Sequence, residues 1–131
     1  MKILIADDEL IMLKIIELRL KKDGHDVIVT SNGQEALEQI KLQDPDMIIA
    51  DIMMPFTSGL EIVSVVKQDN NYRKVPIIIL SSMGQENVVL EAFKLGADDY
   101  ITKPFSPNEL SMRVKRLVSA VNLHSRVEEI I

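Results

Sequence analysis

The chain has 131 residues, of which 47% are hydrophobic and 27% charged, and its 15 basic and 20 acidic side chains give a formal net charge of −5. That length allows one domain and little more, and the composition is typical of a globular protein. The acidic balance argues against nucleic-acid binding by this chain alone, because phosphate contacts need clustered positive charge. The absence of cysteine excludes a disulfide framework and thiolate metal sites.

The amino-terminal apolar segment is too short for a signal peptide or a membrane span. Four apolar residues, 3–6, are followed at once by the acidic Asp7. A signal peptide needs an apolar stretch of about 7–15 residues, and a membrane helix needs about 20. We therefore expect a cytoplasmic protein that does not bind membranes.

Five short segments are predicted to be β-strands. Residues 3–6, 47–50 and 77–80 are almost wholly apolar and rich in isoleucine, which is typical of strands covered on both faces in a parallel sheet. Residues 27–30 and 99–102 are more mixed in character. We expect these two at the edges of the sheet and the three apolar strands in the middle.

Segments with helical spacing follow each predicted strand. In the first, residues 10–22, the apolar Leu13, Ile16 and Leu20 lie on the face opposite the charged residues. Further helices are centred on residues 36–40, 60–66, 88–93 and 110–121, and Ser106-Pro107 has the features of a helix start. The alternation of strand and helix, repeated five times, predicts a doubly wound parallel sheet with helices on both faces.

Polar side chains cluster at the ends of four predicted strands. Asp7-Asp8-Glu9 follows the first strand, Asp51 the third, Ser81-Ser82 the fourth and Lys103-Pro104 the fifth. Ligands of open parallel sheets bind at the carboxyl ends of the strands. If the first and third strands are neighbours, these groups share one shallow pocket.

The charges of this predicted pocket favour a divalent cation. Asp7, Asp8 and Asp51 carry three negative charges against the single positive charge of Lys103, and an uncompensated charge in a partly buried site is costly. Oxygen ligands favour Mg²⁺, which commonly binds one or two carboxylates together with phosphate oxygens. Such a pocket suits a phosphoryl group that Asp51 attacks and to which Ser81 donates a hydrogen bond.

Four separated motifs make the chain similar to the receiver domain of two-component response regulators. They are Asp7-Asp8, residues 51–59 (DIMMPFTSG), residues 76–82 (PIIILSS) and residues 96–105 (GADDYITKPF). The resemblance covers residues 1–119. It implies a flavodoxin-like α/β fold with five helices and a five-stranded parallel sheet of order 2-1-3-4-5.

The resemblance implies a chemical role for each residue of the pocket. Asp51 is the expected phosphoacceptor, which receives a phosphoryl group from a sensor histidine kinase or a phosphotransfer protein. Lys103 is expected to pair with Asp51 and then with its phosphate. The implied Mg²⁺ ligands are Asp7, Asp8, Asp51 and the backbone carbonyl of Met53. The protein is expected to act as a switch rather than as a turnover enzyme, assisting only its own phosphorylation and slow autodephosphorylation.

The resemblance also implies a conformational response. Ser81 is expected to move toward the phosphoryl group, Tyr100 is expected to follow from an outward to an inward rotamer, and Lys103 and Pro104 are expected to be joined by a cis peptide bond. The surface formed by the fourth helix, fifth strand and fifth helix then changes and controls a partner, a second copy of the chain or an output domain beyond residue 131.

Residues 120–131 are predicted to form a helical extension or linker beyond the receiver domain. The apolar stripe of the fifth helix would continue at positions 124 and 128, which are His124 and Glu128, and a second stripe runs offset from it. We expect the helix to continue outward as a dimer contact or as the stem of a coiled coil. A frayed terminus is the alternative.

Several alternatives are weighed against the receiver interpretation. Asp7-Asp8-Glu9 and Ser81-Ser82 are also suitable helix caps. A haloacid-dehalogenase-type phosphatase needs a second aspartate where Met53 stands, and a flavin mononucleotide module would have its phosphate repelled by the acidic first loop. A dinucleotide site is excluded because no G-x-G-x-x-G motif occurs. The remaining alternative is a receiver-shaped binding module that works without phosphorylation.

Two methionines suggest a long-lived aspartyl phosphate. In the resembled family, the positions of Met53 and Met83 flank the phosphoryl group. Two flexible apolar side chains there would obstruct an attacking water and supply no group to orient it.

Overall fold

The computed structural model describes the backbone of residues 1–130 and the side chains of residues 1–122. Within that range five strands alternate with five helices along the chain, as predicted. The strands are β1 (Lys2–Ala6), β2 (Asp26–Thr30), β3 (Met47–Asp51), β4 (Ile77–Ser82) and β5 (Asp99–Lys103). The helices are α1 (Leu10–Lys22), α2 (Gly33–Gln43), α3 (Gly59–Gln68), α4 (Glu86–Leu95) and α5 (Pro107–Ile130).

The strands form one parallel sheet in the order β2-β1-β3-β4-β5. The three apolar strands occupy the middle of this sheet and the two mixed strands its edges. Every residue of β3 is buried, because helices cover both faces of the central strands. The predicted doubly wound, flavodoxin-like fold is therefore confirmed.

Two apolar clusters hold the helices to the sheet, one on each face. Successive side chains of a strand point to opposite faces, so Leu4 and Ile48 pack toward α2, α3 and α4 while Ile3 and Ile49 pack toward α1 and α5. All four side chains are fully buried. Burying one such side chain contributes about 1.5–3 kcal/mol.

The predicted buried face of α1 and the predicted start of α5 agree with the structure. Leu13, Ile16 and Leu20 are the buried residues of α1. At the start of α5 the backbone N–H of Glu109 donates to the Ser106 hydroxyl at 3.1 Å. Pro107 is the first helical residue, where its missing N–H costs no hydrogen bond.

Helix α5 continues to Ile130. Among the described side chains, Val114 is the last fully buried residue of this helix, and Ser119, Ala120 and Asn122 are exposed. The predicted contacts of residues 123–131 lie outside the described side chains, so the division into 1–119 and 120–131 stays a prediction. No helix in the described part of the chain combines the length and apolar character needed to cross a bilayer.

The strand register aligns the carboxyl ends of the strands at one edge of the sheet. Ala6 at the end of β1 lies opposite Ala50, Asp51 lies opposite Leu80, and Ser82 lies opposite Lys103. Three strands end later than predicted, so Asp51, Ser82 and Lys103 are themselves the last residues of β3, β4 and β5. The chain leaves β1, β3, β4 and β5 side by side at this edge.

The loop between β3 and α3 contains a strained residue. Phe56 has a φ of 67°, a left-handed conformation that costs an L-residue about 1–2 kcal/mol. Its side chain is 92% exposed, so packing of the ring does not offset that cost. The conformation is one that glycine adopts freely.

We expect Phe56→Gly to stabilise the fold by about 0.5–1 kcal/mol, because relief of the left-handed strain exceeds the extra chain entropy of glycine. Urea unfolding followed by circular dichroism measures the change. Phe56→Ala is the matched control, since it removes the ring but keeps Cβ and hence the strain. Equal stability of Phe56→Gly and Phe56→Ala would contradict the prediction.

Candidate functional site

The carboxyl edge of the sheet brings the predicted site residues together. Lys103, the last residue of β5, reaches across β4 and β3 to the end of β1. Its ammonium donates to Asp7 Oδ2 at 2.8 Å and to Asp51 Oδ2 at 3.0 Å. One cation thus links three strands of the sheet. The cis peptide bond expected between Lys103 and Pro104 is present.

Glu9 is a third partner of the ammonium that sequence reasoning did not assign. Its Oε1 accepts from Lys103 Nζ at 3.1 Å. The sequence identified Glu9 only as part of the acidic segment Asp7-Asp8-Glu9. Its position directly after Asp7-Asp8 is the one sequence feature that could have indicated a contact with Lys103. With these three carboxylates around it, the Lys103 side chain is only 9% exposed.

Burial makes the Asp51 carboxyl a weaker acid than an exposed aspartate. Its side chain is 9% exposed, and the loss of hydration, together with the charge of Asp7, raises the pKa of Asp51 to about 6. The Lys103 ammonium and the Met53 N–H, which donates to Asp51 Oδ1 at 3.2 Å, offset only part of that rise. Asp51 is therefore mostly ionised at neutral pH, but its protonation responds to small changes in the nearby charges.

Lys103 remains a cation throughout the physiological range. Burial by itself would lower the pKa of Lys103, but its hydrogen bonds with Asp7 and Asp51 and the charges of those carboxylates raise it above its ordinary value. The ammonium therefore supplies a fixed positive charge within hydrogen-bond distance of Asp51.

The acidic residues form a cluster suited to a divalent cation. One carboxylate oxygen from each of Asp7, Asp8 and Asp51 lies within 4.8 Å of the others. Asp7 and Asp51 are buried and Asp8 is exposed, so the cluster opens to solvent on one side. This all-oxygen donor set, with room for water, fits Mg²⁺. The ligand role of the Met53 carbonyl stays a prediction.

A glycine lets helix α3 start directly against the strand that carries Asp51. A Cβ on Gly59 would lie 2.4 Å from the Asp51 carbonyl oxygen and 2.7 Å from Ile52 Cα. The Gly59 N–H donates to the Ile52 carbonyl at 3.0 Å. This close approach fixes the loop after the strand, and with it the backbone that positions Asp51.

The two predicted switch residues lie on neighbouring strands. Ser81 is buried near the end of β4, and Tyr100 is partly exposed on β5. The Tyr100 ring meets Phe93 of α4 edge to face, with ring centres 5.9 Å apart, a contact that the sequence did not indicate. A cavity of about 340 Å³ lies beside Ser81, Phe93 and Tyr100. Its lining comes from β4, the following loop, α4 and β5: Ser81, Ser82, Met83, Glu86, Val89, Leu90, Phe93, Tyr100 and Thr102.

The structure does not support the helix-cap alternatives. Glu9 occupies the cap position of α1, yet its side chain makes no cap hydrogen bond. Helix α4 begins after Gln85 rather than after Ser81 or Ser82. The side chains of these residues are therefore available to the site at the strand ends.

Comparison with known proteins identifies the same type of domain. Residues 3–115 match the family model of the response regulator receiver domain. The chain is 38% identical over 117 residues to the alkaline phosphatase synthesis transcriptional regulatory protein PhoP of Bacillus subtilis. It is 40% identical over 116 residues to the phosphate regulon transcriptional regulatory protein PhoB of Pseudomonas aeruginosa.

The two alignments cover most of this chain but only about half of PhoP and of PhoB. They include 89% and 88% of this chain, against 48% of PhoP and 51% of PhoB, so the chain spans about half the length of these curated relatives. A crystal structure of a putative response regulator from Chloroflexus aurantiacus matches with a TM-score of 0.86 at 35% identity, covering 90% of this chain and 97% of that one.

In buffer with a metal chelator, Asp51 should make the free energy of unfolding fall as the pH rises from 4 to 7. The folded protein keeps the Asp51 proton until the pH passes about 6, whereas the unfolded chain releases it near 3.8. Because the folded state binds more protons in this interval, rising pH favours unfolding. The Asp51 contribution is on the order of 2–3 kcal/mol.

Urea unfolding of the wild type and Asp51→Asn at pH 4 and pH 7 measures this contribution. The variant should gain stability relative to the wild type as the pH rises. Asp46→Asn, which changes an exposed carboxylate beside the opposite end of the same strand, should follow the wild type. Parallel behaviour of the wild type and Asp51→Asn would contradict the assignment.

Proposed function

This chain belongs to the response regulator receiver domain family, and on that premise we propose that it is a phosphorylation-dependent signalling switch whose phosphoacceptor is Asp51. The observation that carries the proposal is the buried Asp51 carboxylate, 3.0 Å from the Lys103 ammonium and within one acidic cluster with Asp7 and Asp8. Receiver domains are signalling modules of two-component systems rather than turnover enzymes.

Asp51 has the properties of a positioned nucleophile. Its Oδ1 accepts from the Met53 N–H and its Oδ2 from Lys103, so the carboxylate is held in one orientation at the strand end. In the proposed step a carboxylate oxygen forms a bond to phosphorus while the phosphorus–nitrogen bond of a phosphohistidine breaks. The imidazole nitrogen keeps the electron pair of that bond, so no oxidant or reductant is needed.

Charge neutralisation is the main task of the surrounding residues. Asp7, Asp8 and Asp51 would hold Mg²⁺, with the Met53 carbonyl as a further ligand, and the metal would neutralise phosphoryl charge. Lys103 provides a permanent positive charge 3.0 Å from Asp51 Oδ2. The buried Ser81 hydroxyl is the proposed donor to a phosphoryl oxygen.

The proposed response leads from Ser81 to the surface. The cavity beside Ser81 also borders Tyr100, and it offers space for the inward rotamer of that ring. Inward movement would break the edge-to-face contact with Phe93 and alter the surface formed by α4, β5 and α5. We propose this surface as the place where a second copy or an output domain responds.

The proposed partners follow from the family and from the length of its members. The donor is a sensor histidine kinase or phosphotransfer protein of the cytoplasm. The relatives PhoP and PhoB carry names of transcriptional regulators and are about twice as long as this chain, which supports an output domain beyond residue 131. Direct binding of nucleic acid or membranes by this chain is not part of the proposal.

Asp51→Asn should abolish covalent phosphorylation. With acetyl phosphate and Mg²⁺, intact-protein mass spectrometry should find one added phosphoryl group on the wild type and none on the variant. Asp46→Asn should be phosphorylated like the wild type, since Asp46 lies beyond the opposite end of β3. A wild-type chain that forms no adduct with this donor would favour the alternative, a binding module that works without phosphorylation.

Met83→Ala should shorten the lifetime of the phosphorylated protein severalfold. Met53 and Met83 are both exposed at the site, where their apolar side chains would exclude an attacking water, and trimming Met83 opens that path. Mass spectrometry after removal of the donor, with Mg²⁺ present, measures the decay. Met112→Ala removes an equally exposed methionine on α5 and should leave the decay unchanged; unchanged or slower decay in Met83→Ala would contradict the hypothesis.

A further inference from the structure

Glu9 occupies a cap position without acting as a cap. It precedes α1, and its carbonyl accepts from the Leu13 N–H at 3.0 Å, as expected for a residue at this position. Side chains at such positions usually satisfy a free N–H of the first helical turn. Glu9 makes no such bond; its carboxylate extends to Lys103 Nζ instead.

The backbone of Glu9 is fixed at the site while its side chain remains accessible. The Glu9 N–H donates to Asp7 Oδ1 at 2.9 Å, which ties the residue to the acidic cluster. The side chain is 60% exposed, so solvation alone would let it point elsewhere. Burial therefore does not impose its contact with the nearly buried Lys103 ammonium, and the hydrogen bond to Lys103 is the interaction that holds the side chain there.

Glu9 differs from the other two partners of Lys103 in one respect. The oxygens of Asp7 and Asp51 belong to the cluster that suits a divalent cation, and Glu9 does not. A divalent cation bound in that cluster would compete with the Lys103 ammonium for the oxygens of Asp7 and Asp51. The two neighbouring cations would also repel each other. Among the carboxylates that the structure places at Lys103, Glu9 alone keeps its oxygens free for it.

We propose that Glu9 is a positioning residue, which holds the Lys103 ammonium beside Asp51 when a divalent cation occupies the carboxylates of Asp7 and Asp51. The inference rests on the proposed function and adds the means by which Lys103 stays within reach of the incoming phosphoryl group. Without Glu9 the ammonium of a long, flexible side chain would sample other positions.

The variant Glu9→Asp separates positioning from charge and from helix capping. It keeps the negative charge, and aspartate is a favourable residue at a helix cap position. It is shorter by one methylene, so we expect its carboxylate to fall short of Lys103 Nζ, which the Glu9 carboxylate contacts at 3.1 Å. A role limited to local charge or to helix stability would survive this change, whereas the positioning role would not.

Two measurements test the proposal on the protein with saturating Mg²⁺. The first follows the Lys103 ammonium protons by NMR in protein labelled with ¹⁵N-lysine, with the signal assigned by its absence in Lys103→Arg. We expect a protected signal in the wild type and its loss in Glu9→Asp. The second is the rate of phosphorylation by acetyl phosphate, which should fall at least threefold in Glu9→Asp while the Mg²⁺ dissociation constant changes less than twofold.

Glu17→Asp is the matched control, because it shortens another glutamate of the same region that contacts Lys14 and Lys21. It should leave both readouts unchanged. Wild-type values for the Lys103 signal and the rate in Glu9→Asp would overturn the proposal. If the wild type forms no adduct at all, the proposed function fails, and the NMR comparison in Mg²⁺ still decides whether Glu9 holds Lys103.

Discussion

The contact of one ammonium with the Asp7 and Asp51 carboxylates is the interaction on which the rest of the site depends. Lys103 joins the edge strand β5 to the central strands β1 and β3, and removing one partner of such a buried pair typically costs about 3–5 kcal/mol. A single ammonium does not neutralise the three carboxylates of Asp7, Asp8 and Asp51. Burial, together with the charge of Asp7, raises the pKa of Asp51, and the negative charge that remains uncompensated makes the cluster suitable for a divalent cation.

Most of the fold was predictable because its strands carry an unambiguous signal. The unbroken apolar segments in β1, β3 and β4 indicated strands covered on both faces. The rule that ligands bind at strand ends predicted that Asp7, Asp51 and Lys103 share a pocket, on the condition that the first and third strands are neighbours. The strand order was different: the apolar patterns of the central strands are interchangeable, so the order 2-1-3-4-5 came from the family resemblance and not from periodicity.

What the sequence did not reveal depends on the directions of individual side chains. The reach of Glu9 to Lys103, the left-handed Phe56 and the contact of Phe93 with Tyr100 each involve a rotamer or a single backbone dihedral. Patterns of hydrophobicity average over such details, because they record which face a residue occupies and not where its side chain ends. The switch roles proposed for Ser81 and Tyr100 concern movement, which patterns of hydrophobicity do not record, and they came from the family resemblance.

The two edges of the sheet divide stability and function between them. At the amino-terminal edge Lys67 donates to the Val75 carbonyl at 2.8 Å and to Asp98 at 3.0 Å, and Asp98 also accepts from the Ile77 N–H. These bonds join α3 to the loops before β4 and β5. At the carboxyl edge, burial raises the pKa of Asp51 and Phe56 is strained, whereas the buried Asp99 at the amino-terminal edge is paired with Arg113 and Arg116. Stability–function trade-offs concentrate such costs at functional sites.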